Sequence, residues 1–308
     1  MTARDIIIDC DPGVDDAVAL FLAFSAPDLL NVLAICTVAG NVPLALTQRN
    51  ARKICDLSGR KDILVFAGSP NAYWRDNVSA EDFHGDDGLE GIPDFAPATP
   101  LQDDHAVSFL VRTLRAREAP ITLVVTGPMT NVALAIRQAP DILRTVDEII
   151  LMGGADTEGG NITDHAEFNI YADPHAAEIV FNSGAKVTAL SLDITHKLRT
   201  IDSRIKAIRD IGSANAVHIA NLLQATNDFE KRMKNWDDGP LHDPSTIAYL
   251  LAPHLFDSKS VSIHVETEPG DRWGKTVLTD DPDGTINWIT TGDETAVYDL
   301  LTERFSKL

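Results

Sequence analysis

Apolar positions along this chain alternate between two rhythms. The run Ile6-Ile7-Ile8 is short and β-branched, the mark of a buried strand. Past Pro12-Gly13 the apolar residues become Val14, Ala17, Val18, Phe21 and Leu22, the i, i+3, i+4, i+7, i+8 spacing of one helix face. The exchange then recurs. Leu33-Ala34-Ile35-Cys36-Thr37-Val38 predicts a strand and residues 43–58 a helix. Ile63-Leu64-Val65-Phe66-Ala67 is the next strand, and a helix over about 104–117 leads to Ile121-Thr122-Leu123-Val124-Val125. A short helix over 132–137, capped by Thr130, precedes the strand Glu148-Ile149-Ile150-Leu151-Met152. Asp173-Pro174 opens a helix through Phe181, closed by Gly184, and Lys186-Val187-Thr188-Ala189-Leu190 is a further strand.

Strands that each run into glycine or polar residues and are separated by helices pair in parallel through right-handed crossovers. The pattern predicts an α/β fold: a mostly parallel open sheet with helices on both faces, its strand-end loops along one edge. Residues 202–235 read as helical, Asp237-Asp238-Gly239-Pro240 breaks them, and another helix runs from His242-Asp243-Pro244 through Leu251. The tail carries short strands at 261–265, 276–278 and 286–289 and a closing helix over 294–305, a small antiparallel C-terminal extension. No tandem repeat or low-complexity linker interrupts the chain, so 1–308 reads as a single domain. The stretch 69–104 breaks the rhythm. It is rich in Gly, Pro and Asp, carries Tyr73, Trp74 and Phe83-His84-Gly85-Asp86-Asp87-Gly88, and is long enough to act as a lid.

The bulk numbers narrow the function. A net charge of −20 argues against nucleic acid or an anionic membrane as partner, since both demand a basic surface. No apolar run reaches the ~18 residues of a membrane span, and strand residues begin almost at once, without a signal-peptide pattern. Three cysteines, Cys10, Cys36 and Cys55, lie in apolar or helical contexts without thiolate-ligand spacing; they read as reduced core thiols and favour the cytoplasm.

The chemistry concentrates at the first strand–turn–helix junction. Asp9, Asp11, Asp15 and Asp16 crowd the carboxyl end of the first strand, where open α/β sheets bind ligands. Like charges in one crevice resist ionising together unless a cation joins them, so the stretch reads as a metal site. The competing reading is capping. Asp15 and Asp16 suit a first helical turn, and Asp11-Pro12, Asp173-Pro174 and Asp243-Pro244 each look like an N-cap with proline at the first helical position. Capping accounts for one or two of the four clustered aspartates, not for all.

Taken together, the motifs resemble one family. Asp9-Cys10-Asp11-Pro12-Gly13-Val14-Asp15-Asp16-Ala17 is similar to the N-terminal signature of the nucleoside N-ribohydrolases, the inosine–uridine preferring group. The resemblance continues through Val38-Ala39-Gly40-Asn41, His84-Gly85, Thr126-Gly127-Pro128-Met129-Thr130-Asn131, Leu151-Met152-Gly153-Gly154, Ala166-Glu167-Phe168-Asn169-Ile170 and His242-Asp243-Pro244. It implies a Rossmann-like fold and hydrolysis of ribonucleosides to base and ribose. It also implies one Ca²⁺ held by Asp11, Asp16, Asp243 and the Thr126 carbonyl. These are hard oxygen donors, as Ca²⁺ requires, and they leave room for a water and a ribose diol. The reaction implied is attack by the metal-held water, with Asp11 as general base, through an oxocarbenium-like transition state, with inversion expected.

By the same resemblance Asp15, Asn41 and Asn169 hold ribose hydroxyls, Asn161 and Glu167 the 5′-hydroxyl, and Met152 packs by the ring. The departing base needs a proton or hydrogen bonds; His242 is the first candidate and His84 the second. Trp236, Phe168 and Phe229 are candidates to stack the base. Residues 224–241, the stretch that sets base preference in the family, match no pattern, so purine and pyrimidine both stay open. Relatives are homodimers or homotetramers, which implies self-association. Two alternatives are kept: a haloacid-dehalogenase-like phosphatase, which also opens on strand–Asp-x-Asp but would need a well-placed lysine, and a non-catalytic ribose or nucleoside sensor.

Overall fold

A computed structural model describes residues 3–75, 78 and 87–308. Along the chain its main-sheet strands are β1 (Arg4–Cys10), β2 (Leu30–Thr37), β3 (Leu64–Ala67), β4 (Leu101–Gln102), β5 (Ile121–Val125), β6 (Val146–Met152) and β7 (Val187–Leu190). A small ribbon, β8 (Arg199–Thr200) and β9 (Gly239–Pro240), precedes β10 (Phe256–Val265), β11 (Thr276–Asp280) and β12 (Ile286–Gly292). The helices are α1 (Val14–Phe24), α2 (Leu44–Leu57), α3 (Ala106–Ala116), α4 (Thr130–Gln138), α5 (Phe168–Ala172), α6 (Pro174–Phe181), α7 (Leu192–Thr195), α8 (Asp202–Arg209), α9 (Ala214–Lys234), α10 (Pro244–Leu251) and α11 (Glu294–Phe305).

The wholly apolar centre of β1 explains its place. Ile6 and Ile8 join the core on one side of the sheet and Ile7 the core on the other, all of them buried. A strand covered on both faces needs apolar residues at every position. Helices α1, α9, α10 and α11 cover one face through Phe21, Leu222, Ile247 and Leu301. On the other face α3, α4 and α6 pack through Phe109, Val132 and Val180.

Among the described residues the sheet order is β11-β10-β12-β7-β6-β5-β1-β2-β3-β4. From β4 to β12 every neighbouring pair is parallel; β10 runs antiparallel to β12 and to β11. The C-terminal extension is therefore antiparallel within itself, while β12 joins the main sheet in parallel. β1 lies between β2 and β5, where the chain's winding reverses, and the crevice beyond its carboxyl end is the place where such sheets take ligands.

Some local readings are corrected. The predicted helical stretch 202–235 is two helices, because Gly212 adopts a left-handed φ of 82° and the Ser213 side chain caps α9 by accepting from the Ala216 N–H. Thr130 lies inside α4 behind Met129 and caps nothing; its hydroxyl donates to Asp173 Oδ2 at 2.6 Å. His84 and the other residues of the expected lid at 76–77 and 79–86 fall outside the described residues.

Candidate active site

The turn after β1 decides between capping and ligation. Helix α1 begins at Val14 with Gly13 as its cap, so Asp11 and Pro12 stand ahead of the helix and Asp11 does not cap it. Asp11 Oδ2 instead accepts the Asn41 N–H at 2.7 Å, from the loop after β2. Asp173 is a true cap, accepting from Ala176 N at 3.1 Å. Asp243 occupies the cap position of α10 yet makes no side-chain cap hydrogen bond. Three similar Asp-Pro pairs therefore do different work.

Asp15 and Asp16 lie in the first turn of α1, and Asp16 Oδ2 accepts the Gly13 N–H at 3.0 Å. Carboxylate oxygens of Asp15, Asp16 and Asp243 lie within 4.8 Å of one another. Thr126, just past β5, joins the rim: its N–H donates to the Asp9 carbonyl at 2.9 Å and its hydroxyl to Asp16 Oδ1 at 2.7 Å. Asn41 Nδ2 donates to Asp16 Oδ2 at 3.0 Å and to the Asp11 carbonyl at 3.1 Å. The loops close this tightly because Gly40 and Gly127 lack side chains. A Cβ at Gly127 would stand 2.9 Å from Asp11 Cγ, and one at Gly40 would run into Asp11 Oδ2.

Asp11, Asp16 and Asp243 hold protons well above the ordinary carboxylate range. Burial, then the neighbouring Asp16, pushes Asp11 well up. Burial, then Asp15, lifts Asp16 to about 7, and burial followed by Asp15, Asp16 and Asp11 raises Asp243 well up. Asp9, beneath the rim, is lifted to about 7 by burial against the opposing Asn131 hydrogen bond.

The donor set fits a hard divalent cation. Among the described residues Asp11 Oδ1 is buried with no hydrogen-bond partner, and the donors that Asp11 and Asp16 do meet are neutral. A buried carboxylate oxygen left bare beside a trio of converging carboxylates is what a cation would satisfy. The Thr126 carbonyl accepts one hydrogen bond, from Asn169 Nδ2 at 2.8 Å, and retains a second lone pair.

Next to this rim lie most of the predicted substrate residues. Asn169 Nδ2 also reaches the Met152 carbonyl at 3.1 Å, tying β6 to the Thr126 loop. Glu167 caps α5: Oε1 accepts from Asn169 N at 2.8 Å, and Oε2 from Gly154 N at 3.0 Å and Ile170 N at 3.1 Å. Burial nonetheless lifts its pKa to about 7. Asn161 Oδ1 accepts from the N–H of Phe168, which is itself buried, at 2.9 Å. His242, 7 % exposed, places Nδ1 2.9 Å from Thr195 Oγ1. His196 lies between His242 and Trp236, with ring centroids 5.7 and 5.3 Å away. Trp236 thus reaches the site through His196, and Arg199 and Lys234 sit over its ring at 4.6 and 4.8 Å, competing with any base for its face.

Sequence reasoning missed Thr195, His196, the Thr126 hydroxyl and Asn131. Asn131 donates to Asp9 Oδ2 at 2.9 Å and accepts from Ser69 N at 2.8 Å, pinning three strand ends together. One signal was available: Thr195-His196 closely follows the carboxyl end of β7, on the same sheet edge as the aspartates.

Comparison with known proteins agrees with this geometry. The family model for the inosine-uridine preferring nucleoside hydrolases matches residues 6–301. A pyrimidine-specific ribonucleoside hydrolase, RihA, of Photobacterium profundum is 42% identical over 310 residues, covering 99% of this chain and 99% of its own. Among solved structures, a purine-preferring ribonucleoside hydrolase from Gardnerella vaginalis superimposes with a TM-score of 0.92 at 30% identity, covering 98% of both chains. A plant nucleoside hydrolase gives 0.91 at 29% identity, over 98% of this chain and 99% of its own.

Proposed function

The chain belongs to the inosine-uridine preferring nucleoside hydrolase family and hydrolyses the N-glycosidic bond of ribonucleosides; from that premise we propose that it is a calcium-dependent enzyme acting on pyrimidine ribonucleosides. The preference rests on the higher identity, 42%, to the pyrimidine-specific relative against 30% to the purine-preferring one. The observation that carries the metal reading is the bare, buried Asp11 oxygen beside the convergence of Asp15, Asp16 and Asp243.

Asp11, Asp16, Asp243 and the Thr126 carbonyl would hold the ion. When bound, Ca²⁺ neutralises the crowded carboxylates, lowers the pKa of a water and orients a ribose diol. Asp11 accepts the proton of the attacking water. Asp15, Asn41 and Asn169 hold ribose hydroxyls, and the surrounding carboxylates stabilise positive charge as the sugar becomes oxocarbenium-like. Attack from the single face that the carboxylates line inverts the anomeric carbon. Glu167 and Asn161 hold the 5′-hydroxyl, Glu167 on the rigid base of its three backbone hydrogen bonds. Met152 packs by the sugar. His242 meets the departing base. Three free, buried cysteines suit a reducing cytoplasm, and the protein works as a homodimer or homotetramer.

Asp11→Asn tests the centre of this reading. Removal of a general base costs about 10²–10⁴ in rate, so kcat on both uridine and p-nitrophenyl riboside should fall by about that factor. Calcium affinity by titration calorimetry should weaken alongside. A variant that keeps near-normal kcat rejects Asp11 as the base.

A further inference from the structure

Helix α7 is a single turn, and its last residue meets His242. Thr195 Oγ1 is fully buried and makes one hydrogen bond among the described residues, the 2.9 Å contact to His242 Nδ1. The position of the hydrogen on that contact follows from the surroundings. A hydroxyl carries one hydrogen that must be placed, and here Nδ1 is the acceptor it meets. Were Nδ1–H the donor, the hydroxyl hydrogen would be buried without an acceptor, an arrangement that folded proteins avoid.

We infer that Thr195 is a positioning residue that fixes the tautomer of His242: its hydroxyl donates to Nδ1, so the neutral imidazole carries its hydrogen on Nε2. This rests on the reading that His242 meets the departing base. His196, the next residue, fixes the ring as well. Its imidazole packs against that of His242 with the planes 58° apart, and its own Nδ1 lies 3.3 Å from Glu158 Oε2. Glu158 is held in turn, its N–H donating to Asp193 Oδ1 at 3.2 Å. The tautomer therefore comes from Thr195 and the ring plane from His196.

No hydrogen leaves His242 in the step. As the C1′–N bond breaks, its electron pair goes to the base, and the Nε2–H hydrogen bond stabilises the charge that develops there. The base takes its final proton from solvent and the proton that Asp11 removes from the attacking water returns to solvent, so the sum is nucleoside plus water giving base plus ribose. A leaving group that is already a stable anion, such as p-nitrophenolate, has little use for this donor.

The test compares T195V, which keeps the shape and loses the hydroxyl, with T195S, which keeps the hydroxyl. Long-range ¹H–¹⁵N NMR of the full-length protein labelled at histidine nitrogens distinguishes Nδ1–H from Nε2–H, with His242 assigned by its loss in H242N. The wild type and T195S are expected to show Nε2–H, and T195V a mixture or Nδ1–H. T195V should lose about tenfold or more in kcat on uridine, as removal of a directed polar contact does, with KM nearly unchanged and p-nitrophenyl riboside little affected. T195S should restore most of the loss. An Nδ1–H signal in the wild type, an unchanged tautomer in T195V, or equal losses on both substrates overturns the inference. A wild type that cleaves neither substrate overturns the hydrolase reading instead, and the NMR result still decides the tautomer.

Discussion

Among the three Asp-Pro pairs, what a carboxylate does is decided by what stands three residues ahead and what stands across the crevice. Asp173 finds the Ala176 N–H and caps; Asp243 makes no cap bond and remains available to the acidic trio. Their immediate sequences are alike, so no local reading separates them. The acidic residues of the site were readable because four aspartates at one strand end are chemically conspicuous. Thr195, Thr126 and Asn131 were not, because an ordinary hydroxyl or amide takes its meaning from a partner far away in the chain, such as the 122-residue separation between Asn131 and Asp9. His242 shows both sides: it was singled out by its neighbours, yet its proton is positioned by Thr195. His242→Ala should slow uridine about 10²-fold, within the range for loss of a hydrogen-bond donor aimed at developing charge, while p-nitrophenyl riboside loses far less. Steady-state kcat on the two substrates measures the difference, and equal losses would mean that His242 only shapes the pocket.

Whole elements were easier to read than single contacts wherever both faces of a strand are buried, since an unbroken β-branched run has few alternatives. Strands β1, β2, β5, β6 and β7 fall where the apolar pattern puts them. The two-residue β4 carries no such pattern, and the split of 202–235 depends on one glycine in a left-handed conformation. What no periodicity could supply is how closely the strand-end loops approach. At Gly127 an added Cβ would meet Asp11 Cγ at 2.9 Å and the Asp11 backbone nitrogen at 3.0 Å, and the backbone atom cannot swing aside. Gly127→Ala should therefore displace Asp11 and the Thr126 loop together. A misplacement of about 1 Å can cost about 10² in rate, so kcat should fall by that order with calcium binding weakened, while the circular dichroism spectrum stays that of the wild type. Full activity in this variant would show that the loops have room to spare.

At the scale of the molecule the acidic rim is an expense to the fold that a bound cation would remove, and this makes stability depend on pH in an unusual direction. Asp9 and Asp16, ordinarily near 3.8, and Glu167, ordinarily near 4.5, all titrate at about 7 in the folded chain when no ion is present. Between those limits the folded state holds protons that the unfolded chain has already released. Stability therefore falls as pH rises through this window, the reverse of a protein whose carboxylates sit in salt bridges. In chelator, Tm should be highest near pH 5 and decline toward pH 7.5. On the proposed reading calcium binds the deprotonated carboxylates, so its affinity should grow with pH and its binding should release protons. Saturation at about a hundred times Kd adds about 2.7 kcal/mol, which for a chain of 308 residues is a few degrees. That increment should be large at pH 7.5 and small at pH 5, flattening the pH profile of the loaded protein, and D11N should shrink it at pH 7.5. Thermal scans at both pH values, with chelator and with calcium, test the whole arrangement at once. A chelated protein whose Tm climbs from pH 5 to 7.5, or a calcium increment that is equal at both, would show that the rim aspartates are already ionised and paired in some other way.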